Sequence, residues 1–90
     1  MYIIMNINDL KQKVKKKLEE NIIIEDLVIE DKSFLHKGHP GNNENMFHIK
    51  LIIKSNQLMK ESKINRTKKI YKVLDFEIKN YIHSLQILIS

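Results

Sequence analysis

The sequence predicts a small α+β domain, a three-stranded mixed sheet packed on one face by helices in the order α-β-β-α-α-β. Three observations predict it. Met46 to Lys54 alternates strictly, with Phe47, Ile49, Leu51 and Ile53 set against Met46, His48, Lys50, Ile52 and Lys54. Apolar residues recur every four positions at Leu10, Val14 and Leu18, and again at Ile70, Leu74 and Ile78. Both glycines and the only proline fall between Lys37 and Asn45, which predicts a loop between two strands.

Asp9-Leu10-Lys11-Gln12 reads as a capping box opening the first helix, with Ile7 as a staple before it and Asn21 as the stop. Residues 1–8 precede it as a loosely ordered extension of a single domain spanning residues 1–90. Ile22 to His36 is β-branched and broken by acidic pairs, which predicts a strand centred on Leu27-Val28-Ile29. Asn56 to Lys60 predicts a short helical turn. Ser62 to Asn80 predicts one helix whose buried face carries Ile70, Leu74, Ile78 and Tyr81, with Val73 beside them. His83 to Ile89 alternates again, Leu85, Ile87 and Ile89 opposing Ser84, Gln86 and Leu88. The first two strands form an antiparallel hairpin. The last returns by a helical crossover, which sets it parallel to its neighbour.

Composition limits the chemistry. The chain has no cysteine, so it forms no disulfide and supplies no thiolate, and any metal ligand is nitrogen or oxygen. That brings forward His36, His39, His48 and His83. A net charge of +5 favours polyanions or acidic surfaces, although a chain crowded with Lys, Ile and Asn can owe that charge to AT-rich coding. The longest apolar run, Met1 to Met5, is far below the roughly 20 residues of a membrane span. A soluble cytoplasmic protein, or one of an organelle matrix, is expected. No G-x-S-x-G, phosphate-binding glycine loop, H-E-x-x-H or cysteine nucleophile occurs, and adjacent Glu25-Asp26 and Glu30-Asp31 point to opposite strand faces. No catalytic dyad is expected.

The element order, together with four short motifs, resembles the BolA family, whose fold is close to the type II KH domain. Asp31 to Gly41 resembles the family's passage from an acidic-Ser strand end into a His- and Gly-containing loop. Met46-Phe47-His48-Ile49 sits where the family opens its second strand with a His-Phe pair, Met46 replacing the usual His. Asn65-Arg66-Thr67-Lys68-Lys69-Ile70-Tyr71 resembles the Asn-Arg-His-Arg-x-Ile-Tyr helix signature, with Thr67 and Lys68 in place of His and Arg. Ile82-His83-Ser84-Leu85 resembles Val-His-Ala-Leu at the last strand. The likeness runs from about residue 9 to residue 89.

The topology brings His36, His39 and His83 to one end of the sheet, because a third strand parallel to the second starts where the hairpin loop lies. Histidine can replace cysteine at an iron–sulfur cluster of about four ligands, so one loop histidine plus His83 makes half a set. The resemblance implies what completes it: a monothiol glutaredoxin partner and a shared [2Fe–2S] cluster, with none held by the chain alone. His83 ranks first as ligand, then His36 and His39. Against this stands a plainer role for His83, capping a helix end where the dipole favours a cation. His48 is expected on the sheet face opposite Phe47 and Ile49, outside the ligand set.

Lys60, Lys63, Arg66, Lys68, Lys69 and Lys72 form a basic face that could follow phosphates. The resemblance adds DNA-binding transcriptional regulation as an alternative function. Gly38-His39-Pro40-Gly41 has G-x-x-G spacing but lies between strands, where a KH-type clamp between two helices cannot form. The same basic face suits an acidic glutaredoxin surface. On its own the chain is expected to be a monomer or weak homodimer.

Overall fold

Alternation sorts the second strand's side chains between a wet and a dry face, and the helices are assembled on the dry one. The computed structural model describes residues 5–33 and 46–90. The elements are α1 (Ile7–Asn21), β1 (Asp26–Asp31), β2 (Phe47–Lys54), α2 (Asn56–Met59), α3 (Lys63–Val73), α4 (Asp75–Asn80) and β3 (Ile82–Ile89). Among the described residues the sheet runs β1-β2-β3, with β1 antiparallel and β3 parallel to β2. The predicted α+β architecture is the observed one.

Leu10, Val14 and Leu18 of α1 meet Ile49, Leu51 and Ile53 of β2 and Leu58, Ile70 and Leu74 of the later helices in one core. All nine are nearly or fully closed to water, each burial contributing about 1.5–3 kcal/mol for a Leu- or Ile-sized side chain. The opposite sheet face carries His48, Lys50, Ile52 and Lys54 beside Val28 and Glu30 on one side and Ser84, Gln86 and Leu88 on the other. It stays more open, with Val28 and Leu88 exposed.

Three boundaries differ from the sequence expectation. The first strand, expected over residues 22–36, is Asp26–Asp31, and Ile22 is instead the C-cap of α1. The first helix starts earlier: Asn6, not Asp9, is its N-cap, its Oδ1 accepting the Asp9 N–H at 2.8 Å. Ile7 and Asn8 therefore belong to the first turn, and Asp9 lies within it, where the dipole favours an acid. Asn and Asp are comparable caps, so packing of Ile7 against the core selects the upstream one. The predicted helix 62–80 is two helices, interrupted at Leu74, whose φ of −99° and ψ of 17° are not helical. No glycine or proline marks that interruption. Beyond it α4 buries Glu77, whose carboxylate takes Lys17 Nζ of α1 at 2.7 and 2.9 Å. Lys17 also lies 5.5 Å from the centre of the Phe76 ring.

Candidate metal-ligating end of the sheet

The site end is built by a register shift. Phe47 pairs with Ile82 and His48 with Ser84, so His83 is an extra residue inserted into β3. The bonding follows: Phe47 N–H reaches Tyr81 O at 2.8 Å before the shift, whereas at the far end Ser90 takes over the pairing, donating to Ile53 O and accepting from Ser55 N. Such a bulge re-aims side chains. Ile82 points into the core and Ser84 onto the open face, and His83 between them is left exposed to solvent.

His48 stands beside it. Its Nδ1 lies 2.7 Å from Ser84 Oγ, and its ring centre is 5.1 Å from that of His83, tilted by 31°. Only 5 % of His48 is exposed. Its backbone is clasped by the chain leaving β1: Ser33 Oγ accepts the His48 N–H at 3.1 Å, and Lys32 N–H donates to His48 O at 2.7 Å. Ser33 is fixed in turn by Asp31 Oδ1 at 2.9 Å.

His48 occupies the face opposite Ile49, as alternation requires, and the bulge sets its ring beside that of His83. Two imidazoles lie together at this end, one buried and one accessible. Alternation gives the face of a residue and is silent on which neighbour a bulge brings next to it. The shift itself could not be read from either strand alone.

His36 and His39, with Gly38, Pro40 and Gly41, lie outside the described residues. The chain leaves the described structure at Ser33 and re-enters at Met46. Ser33 touches His48, and Phe47 pairs with Ile82, so both ends of that connection are at the His83 end of the sheet. Among the described residues no group of three or more His, Asp or Glu side chains could hold a metal ion. What they supply is one accessible imidazole, His83, with a second behind it. That donor set fits a metal centre shared with other ligands, and is too small to enclose one.

The basic residues lie on α3 and just before it. Lys60, Lys63, Lys68, Lys69 and Lys72 are exposed and Arg66 is half-buried. Lys69 pairs with Glu61 at 2.7 Å, and Arg66 reaches the Met59 sulfur at 3.4 Å. On β1, hydrogen bonding to Lys32 holds the Glu30 carboxyl below its ordinary 4.5 against the opposing effect of desolvation, with the charges of Lys32, Lys50 and Lys11 adding smaller contributions in the same direction as the hydrogen bond. Among the described residues no helix is long and apolar enough to cross a membrane.

The sequence profile of the BolA-like protein family matches residues 18–90, which include every element from the end of α1 to the end of β3. The chain belongs to the BolA-like family. Solved structures agree. The BolA domain of SufE1 from Arabidopsis thaliana is 29% identical, with a TM-score of 0.73 over 96% of this chain and 93% of that one. BolA1 from Arabidopsis thaliana is 26% identical, with a TM-score of 0.77 over 98% and 94%. BolA1 from Mus musculus has the same fold at 19% identity, with a TM-score of 0.71 over 98% of this chain and 68% of that one. Comparison with curated proteins finds no match.

Proposed function

We propose that this BolA-like protein is a non-catalytic adaptor that binds a monothiol glutaredoxin and lends it histidine ligands for a shared [2Fe–2S] cluster, in cluster assembly, trafficking or iron sensing. The observation that carries the reading is His83: an imidazole pushed into solvent by a bulge, at the sheet end from which the segment with His36 and His39 departs. A cysteine-free chain with an incomplete donor set needs thiolates from outside, which a glutaredoxin provides. His83 would hold the cluster from this chain together with His36 or His39, and the bound group would supply redox-active, transferable iron and sulfide. The role of the chain's own residues is to present nitrogen donors and exclude none of the partner's. The setting proposed is the cytoplasm or an organelle matrix.

The test is anaerobic reconstitution of the complex with a monothiol glutaredoxin, followed by visible absorption and circular dichroism with iron and sulfide analysis. His83→Ala is expected to alter the visible spectrum strongly, and His36→Ala or His39→Ala to alter it where that residue is the second ligand. A complex whose spectrum is indifferent to His83→Ala would remove the ligand role.

A second reading, DNA-binding regulation, is favoured by the exposure of five of the six cations over residues 60–72. It predicts duplex binding that falls steeply with salt. Lys68→Glu with Lys69→Glu should abolish it; binding that survives the pair of substitutions would retire this reading.

A further inference from the structure

The two edges of the sheet are finished differently. β1 carries Asp26, Glu30 and Asp31 in six residues, with Lys32 directly after. Charges of this kind are how natural edge strands discourage pairing with other chains. β3 carries no Asp, Glu, Lys or Arg from Ile82 to Ser90. Among the described residues it has β2 on one side and no strand on the other.

The direction of its backbone groups can be derived. Ser90 donates to Ile53 O at 2.9 Å and accepts from Ser55 N at 3.0 Å, so it faces β2. Consecutive strand residues turn their N–H and C=O to opposite sides, so Ser84, Gln86 and Leu88 also face β2. Leu85, Ile87 and Ile89 therefore direct theirs outward, three residues evenly spaced along a neutral edge. Their side chains are half-buried, and Leu88 on the open face is 54 % exposed.

We infer that β3 is a self-association edge, pairing antiparallel with β3 of a second copy about a two-fold axis at Ile87. In that register Ile87 meets Ile87 of the second copy and Leu85 meets its Ile89, so every outward residue faces an outward residue. About six backbone hydrogen bonds result. The core-side pairs are all aliphatic. On the open face Gln86 meets Leu88 and Ser84 meets Ser90, so no charge opposes a charge. A second copy is the occupant that fits because the edge is self-complementary by symmetry, whereas β1 would set acids against acids. Strand pairing of this length covers less than the roughly 800 Å² per partner of a stable interface, so the dimer is weak and concentration-dependent. His83 lies four residues from the axis, which leaves the two copies of it about 27 Å apart at 3.4 Å per residue, with the bulge uncovered. The inference is thus independent of the proposed cluster role.

The copies each carry +5, so salt should strengthen this association by screening their repulsion, the opposite of its effect on an acidic partner. The test is sedimentation of the full chain from micromolar to millimolar concentration at low and high salt, with amide spectra across the same series. Dimerisation is expected, tighter at high salt, with the Leu85, Ile87 and Ile89 amides shifting and gaining exchange protection while β1 amides stay still. Gln86→Lys with Leu88→Lys sets lysines opposite one another at exposed positions and should weaken the dimer about tenfold. If that variant fails to fold, the wild-type amide series decides alone. A monomer throughout, a dimer whose shifts fall on β1 or α3, or β3 shifts that appear only with an added peptide would each overturn the inference.

Discussion

The two ends of the sheet are built from similar groups to opposite effect. At the end where β1 begins and β2 finishes, Ser55 is fully buried, its Oγ donating to Ile23 O at 2.7 Å and accepting the Leu58 N–H at 3.1 Å. Gln57 Oε1 takes the Ile23 N–H at 2.7 Å, and Glu25 Oε1 takes the Asn56 N–H at 2.6 Å. Three of these four bonds cross from the α1–β1 connection to the start of α2, so the end is stitched shut. At the other end a serine meets a histidine, Ser84 with His48, but the bulge there turns His83 outward. One end spends its polar groups on closing the fold, the other on presenting an imidazole. Function is expected where polar groups are held but not used up.

The largest break in this comparison should come from Ser55→Ala. It removes a helix cap and the part-buried hydrogen bond to Ile23 O, costing about 2–3 kcal/mol, read by urea unfolding. A loss no greater than that of an exposed serine would mean that end is not the structural clamp. Ser84→Ala is expected to cost less, about 1 kcal/mol for one partly buried hydrogen bond. The melting temperature should fall by roughly 4–8 °C in a domain of this size. A cost equal to that of Ser55→Ala would erase the distinction between the ends.

The smallest effect concerns Glu30, at the His48 end of β1. Its folded carboxyl is held below the ordinary 4.5 by Lys32, so folding favours the ionised form. The stabilisation is fully present above 4.5 and is lost as the pH falls through the lowered folded value. Wild type and Glu30→Gln should therefore differ slightly at neutral pH and converge in acid, the difference shrinking with salt. A gap that widens on acidification would show the sign to be wrong.

Periodicity and punctuation in the sequence determined the element order, the core face of β2, the strand centre at Leu27-Val28-Ile29 and the parallel return of β3. Each of those depends on local patterns repeated along one segment, which a linear reading can detect. Tertiary structure alone decided the rest. Asn6 displaced Asp9 as the cap because Ile7 packs on the core. The predicted long helix was interrupted at Leu74, beyond which Glu77 meets Lys17 across sixty positions. Acidic residues read as exposed by default, so nothing local announced that pair. The nearness of His48 to His83 arose from one inserted residue in a register between strands 36 positions apart. Register is a property of two segments aligned against each other, and neither segment contains it.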